Sequence, residues 1–232
     1  MRRVVNIYLV AGAWTHEEMF RPLAEALKYR FEQGGLVAIT RVVLPYEDGN
    51  RFAQLREARR DVRLYPEQAA HSAGGVRVRR LVRTLGARDP LLLIGCGSGG
   101  AAAYHAAELL EAEGCEVRFV VQVGSPKVPI GHGFRERVGY IAKKGGLLES
   151  DPHVWQGSWS HAKYRFASHR YPGLLYNARE KGRRYYAPGQ VAMLDVEGRV
   201  PDYFSPVAGR GSVSNLAQTM NTIWEWFGAA KR

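Results

Sequence analysis

Cysteine is scarce in this sequence: the 232 residues include two, Cys96 and Cys115. Two thiols do not make a disulfide framework, and their scarcity fits a reducing, cytoplasmic setting. Zinc-finger spacings are lacking, and no residue pattern calls for a metal or an organic cofactor. Long apolar runs are missing too. None approaches the roughly 20 residues that span a bilayer, so no membrane span is expected. The nearest approach is at the start, where Arg2-Arg3 precede the apolar run Val4–Val10 and then Ala11-Gly12-Ala13. That order loosely mimics a secretory leader, but the run is short and broken by Asn6, and it reads as a first buried strand. Internal repeats and low-complexity linkers are also lacking, so residues 1–232 are expected to form one domain.

Acidic residues are outnumbered. There are 22 Asp and Glu against 33 Lys and Arg, a formal net charge of +11. Much of the excess lies in three groups: Arg56, Arg59, Arg60 and Arg63; Arg77, Arg79, Arg80 and Arg83; and Arg179, Lys181, Arg183 and Arg184. Such groups are either solvated helix faces or a surface that attracts an anionic polymer, nucleic acid or acidic lipid. No RNA-recognition motif or helix-turn-helix signature is present, so no sequence-specific nucleic-acid reader is implied.

What is there is an alternation of strands and helices. Val4–Val10, 36–44, 91–94, 117–123, 138–142 and 191–196 read as strands, the central ones apolar enough to be buried on both faces. Residues 17–31 space Phe20, Leu23, Leu27 and Phe31 on one helical face. Residues 52–62, 66–85, 101–113 and 213–227 are further helices, the second weakened by Gly74-Gly75. The pattern predicts an α/β fold: a mostly parallel sheet of about six strands with helices on both faces. Residues 151–188 break the alternation. They are aromatic and basic, and read as an insertion that either caps a pocket or packs over one edge of the core.

Between the strand at 91–94 and the helix at 101–113 lies Gly95-Cys96-Gly97-Ser98-Gly99-Gly100. A glycine-rich strand-to-helix turn can present anions to a helix N-terminus. Forced onto Gly95, Gly97 and Gly100, it would imitate a dinucleotide fingerprint, but the following strand ends Val121-Gln122-Val123-Gly124 without the acidic residue that such a site uses. The same turn suits a nucleophile elbow, where small residues on either side let strand and helix pass closely.

The order of further motifs strengthens the second reading. Ala11-Gly12-Ala13-Trp14 follows the first strand, Gly124-Ser125-Pro126 ends the fourth, then come Asp151-Pro152, Gly157-Ser158-Trp159 and Pro201-Asp202-Tyr203-Phe204. Together with the elbow they resemble the bacterial "fungal lipase-like" branch of the α/β-hydrolases, over most of the chain. The resemblance implies an α/β-hydrolase fold and acyl transfer by Ser, an acid and His in that chain order. It implies Asp151 as the triad acid, with Glu149 as a nearby substitute. It also implies an oxyanion hole with donors near Ala13 and at the residue after the nucleophile, which makes Ala13, Trp14 and Gly99 pocket residues.

Two positions depart from the family. Its elbow reads Gly-His-Ser-x-Gly-Gly, so an ungapped placement puts Gly97 where the nucleophile belongs and Ser98 one place late. Its base lies on the loop before the closing helix, where this chain has Val200 and no histidine between Glu197 and Gly211. Cys96 is a poor substitute nucleophile, because Ile94 would then occupy a position that must be small. His153, His161 and His169 lie in the insertion and are the remaining sources of a base. Removing Ser or His alone costs a serine hydrolase about 10⁶-fold. The expectation is therefore an impaired lipase/esterase-like protein that acts by binding, either a small ester- or carboxylate-like ligand or a protein. The alternatives are an active serine esterase using Ser98, Asp151 and a non-standard His, and a basic scaffold docking to an anionic polymer.

Overall fold

The computed structural model describes residues 3–47, 50–86, 90–145, 152–159, 185–207 and 213–229. Six strands form one sheet: β1 (Val4–Val10), β2 (Val37–Val43), β3 (Leu91–Cys96), β4 (Val117–Val123), β5 (Val138–Lys143) and β6 (Gln190–Leu194). Their order is β2-β1-β3-β4-β5-β6, and every neighbouring pair is parallel. The helices are α1 (Arg21–Gln33), α2 (Arg51–Asp61), α3 (Ala73–Thr84), α4 (Gly99–Ala112) and α5 (Asn215–Ala229). This is the two-sided parallel sheet that the sequence predicts, consistent with an α/β-hydrolase fold.

Side-chain alternation divides the core. Tyr8, Val10, Leu91 and Leu93 face α2, α3 and α4, while Ile7, Leu9, Leu92 and Ile94 face α1 and α5. A third cluster joins Tyr140 and Ala142 of β5 to Val154, Trp159 and Ala187. The two described ends of the aromatic segment therefore pack against β5. The rest of that segment, Asp151 and 160–184, lies outside the described residues.

One predicted helix is two elements. Residues 66–85 break at Ser72, between the 3-10 turn Pro66–His71 and α3. Ser72 Oγ accepts from Gly75 N at 2.9 Å, which caps a new helix start. Buried Asp61 adds to this cap, accepting from Ala73 N at 3.0 Å and Gly74 N at 2.8 Å. Gly74 and Gly75, which weaken a helix by propensity, are where α3 meets α4. A Cβ on Gly74 would stand 2.8 Å from Ala102 Cβ, and one on Gly75 would stand 2.7 Å from His105 Cβ. Close approach overrides propensity here.

Topology also fixes where a crevice opens. β1 leads through α1 on one face, whereas β3 leads into α4 on the other. The turns leaving these neighbouring strands diverge, and open α/β sheets bind ligands at such a switch point, outside the carboxyl ends of the strands.

Candidate functional site

The crevice between β1 and β3 is lined by the two turns that the sequence singles out. β1 runs into Gly12-Ala13-Trp14. Thr15 closes this turn by donating its hydroxyl to Gly12 O at 2.7 Å. Trp14 has φ +67 and is half exposed at the rim.

β3 ends at Cys96, and the chain reverses at Gly97, whose N–H donates to Val123 O at 3.0 Å. Gly97 has φ +55, a left-handed conformation that glycine adopts without the steric penalty met by other residues. Side chains at Gly95 or Gly99 would strike Gly99 O and Val10 O respectively, so strand, turn and helix touch backbone to backbone. At Gly97 the surroundings are looser. Among the described residues, a Cβ there would meet Val200 Cγ1, at 3.9 Å, an ordinary van der Waals contact. The two residues that the resemblance places at nucleophile and base therefore face one another.

Val200 is held there by its own loop. Asn215, at the start of α5, receives Glu197 N at 3.1 Å and donates to Glu197 O at 2.8 Å and Asp202 O at 2.9 Å. Tyr203 Oη accepts from Lys143 N at 2.7 Å, tying the loop to the end of β5.

Ser98 does not stand at the tip of the turn. Its backbone is already helical, with φ −64 and ψ −16, so its side chain belongs to the first turn of α4. Buried, its Oγ accepts from Ala13 N at 2.8 Å, across the crevice. Among the described residues, no imidazole hydrogen-bonds to it. His16, His71 and His132 are exposed, and His153 is half-buried in the turn Pro152–Trp155. His105 is buried on the far side of α4, where Nε2 donates to Asp61 O at 2.9 Å, and burial holds its pKa below the usual histidine value. Asp151, Glu149, His161 and His169 lie outside the described residues.

Three residues of this region escape sequence reasoning. Gly12 is one, legible within its motif but not as a contact: a Cβ there would stand 2.8 Å from Cys96 O and 3.0 Å from Ser98 Oγ, so glycine lets the two turns pack together. Asn215 is the second, legible as a helix-start residue but not as a loop clamp. Lys127 is the third. It follows β4, is buried, donates from Nζ to Val154 O at 2.8 Å, and lies 5.9 Å from the centre of the Trp159 ring. Burial lowers its pKa to about 8. No group of three or more His, Cys, Asp or Glu side chains is placed to hold a metal among the described residues. No helix among them is long and apolar enough to cross a membrane.

Neither a protein-family model nor a curated protein matches the chain. Among solved structures it is similar to YbtT, a type II thioesterase from the yersiniabactin NRPS/PKS biosynthetic pathway, at 16% identity and a TM-score of 0.33. That match covers 56% of this chain and 45% of the other. It is also similar to RedJ, the thioesterase of the prodiginine biosynthetic pathway in Streptomyces coelicolor, at 20% identity and a TM-score of 0.34, covering 54% and 40% of the two chains. The chain thus spans less than half the length of these structures, and its site is read from its own residues.

Proposed function

We propose that this chain is a catalytically impaired lipase/esterase-like protein of the bacterial fungal lipase-like branch, which binds a small ester or carboxylate without turning it over. The observation that carries this reading is the pairing of Gly97 with Val200. Gly97 has the left-handed backbone of an elbow tip, and among the described residues the neighbour that a side chain there would touch is a valine methyl. On this reading, glycine and valine stand among the described residues at the two positions that would carry the hydroxyl and the imidazole.

The Ser98–Ala13 hydrogen bond supports the same reading. A nucleophilic hydroxyl must donate to a base and leave the oxyanion donors free for substrate. Ser98 instead accepts from an amide N–H that this proposal assigns to the oxyanion hole. Its oxygen sits where a ligand oxygen would bind, and rotation about χ1 would release the donor.

A fluorophosphonate probe tests the proposal against the active-esterase alternative. The expected result is no covalent labelling, and no hydrolysis of short p-nitrophenyl esters above a heat-treated control. Labelling that disappears in Ser98→Ala would overturn it.

A further inference from the structure

The arginine-rich helices differ in how their charge is met. In α3, Arg77 pairs with Glu57 at 2.6 Å, while Arg79 and Arg83 both reach Glu113. Elsewhere Arg137 pairs with Glu111 and Arg118 with Glu116. Arg80 of α3 is exposed and meets no carboxylate among the described residues, and α2 gathers three arginines in that state. Arg56, Arg59 and Arg60 are exposed and meet no carboxylate among the described residues. Both acids of α2 are committed elsewhere: Glu57 to Arg77, and Asp61 to the start of α3 and to Tyr46 Oη at 2.9 Å. Like charges three and four residues apart repel and weaken a helix, so this face carries a cost that an anionic partner would remove.

The same face is shaped. A groove of about 430 Å³ runs along it, walled by Arg56, Arg59, Arg60 and Arg63. Its floor is Leu55 and Leu64, and Phe52 stands at one end, 86% exposed. A second depression of about 390 Å³ shares Arg56 and Arg60 and is lined as well by His71, Ala73 and Glu57, the carboxylate that Arg77 neutralises. The shared arginines make the two depressions one track, longer than a single small anion needs. From Phe52 to Arg60 the helix rises about 12 Å, room for a few nucleotides at roughly 3.4 Å each.

We infer that the outer face of α2 is a docking track for single-stranded nucleic acid, bound through its phosphates without sequence readout. Guanidinium groups suit phosphate oxygens by their planar, two-pronged donor geometry, and they also stack on bases. An exposed aromatic beside a basic groove is the other element of single-strand binding, because every base offers a face to stack. A membrane surface fits less well. Among the described residues Phe52 is the one exposed large apolar side chain of α2, whereas an interfacial helix needs an apolar stripe. The net charge of +11 adds long-range attraction of the same sign.

Fluorescence anisotropy with a fluorescein-labelled oligothymidylate tests this on the full chain. Binding is expected at about 50 mM salt, weakening toward 200 mM with a log–log slope of about −2 to −3, as three or four phosphate contacts require. Arg56→Glu with Arg60→Glu is expected to weaken binding at least tenfold. Arg21→Glu with Lys28→Glu makes the same change in net charge on exposed positions of α1, across the sheet, and should weaken it less than threefold. Phe52→Ala should weaken oligothymidylate binding severalfold while leaving retention of inorganic polyphosphate unchanged. The inference is overturned by no binding at low salt, by equal losses in the two charge-reversed pairs, or by an unchanged Phe52→Ala variant. It is also overturned if phosphatidylglycerol vesicles or polyglutamate bind the track more tightly than the oligonucleotide does. Circular dichroism of each variant separates loss of binding from loss of fold.

Discussion

A Cβ on Gly97 would stand 3.9 Å from Cγ1 of Val200, in ordinary van der Waals contact, at the carboxyl edge of the sheet. No side chain crowds Gly97, so its left-handed backbone rather than steric contact is what favours glycine there. Gly97→Ala is therefore expected to destabilise the fold by about 1–2 kcal/mol, the cost of left-handed backbone for a residue with a Cβ. Urea denaturation measures this. The double variant Gly97→Ser with Val200→His places hydroxyl and imidazole at these two positions. It is expected to gain fluorophosphonate labelling and ester hydrolysis about tenfold or more above either single variant. No gain in a folded double variant would count against the assigned positions.

Ser98→Ala addresses the other half of the crevice. The substitution leaves Ala13 N–H without its acceptor, so stability should fall by about 1 kcal/mol. In exchange the donor becomes free for a ligand oxygen. Calorimetric titration with a short-chain carboxylate should give tighter binding to Ser98→Ala than to the parent. Gly12→Ala, whose Cβ would stand 3.0 Å from Ser98 Oγ, should weaken it.

Gly75→Ala separates packing from propensity. In an isolated helix this change stabilises by about 1 kcal/mol. Here the added carbon would stand 2.7 Å from His105 Cβ. Forcing α3 and α4 apart costs about 1–3 kcal/mol, so thermal unfolding should shift downward. An upward shift would show that the two helices do not pack as closely as described.

Stability should depend on pH through Lys127. The unfolded chain keeps the proton on this amine up to about 10.5, whereas the folded chain releases it near 8. Between these values the unfolded state binds more protons, so stability rises with pH, by up to about 3 kcal/mol. Above pH 10 the buried phenols of Tyr46 and Tyr104, whose pKa values burial raises, act with the opposite sign. The window is therefore pH 8–10. Melting temperature should climb across it in the parent and stay flatter in Lys127→Met.

Strand and helix positions were largely legible, because burial on a sheet or a helix leaves a periodic trace in the chain. Leu91 to Ile94 read as a strand buried on both faces, and alternate residues do face different helices. Residues 66–85 read as one helix because periodicity runs through Ser72. The break depends on Asp61, twelve residues from the amide it caps, and distant partners leave no local pattern.

At the crevice, the sequence alone determined that a glycine stands one place before Ser98 and that the loop before the closing helix has no histidine. Which way Ser98 points, and that Gly97 looks onto Val200, were decided by tertiary structure. Residues 97 and 200 are far apart in the chain, and their meeting depends on divergent turns at a sheet switch point and on a loop clamped by Asn215. A side chain's direction at a turn depends on its backbone dihedral angles, and these are set by the packing of strand against helix.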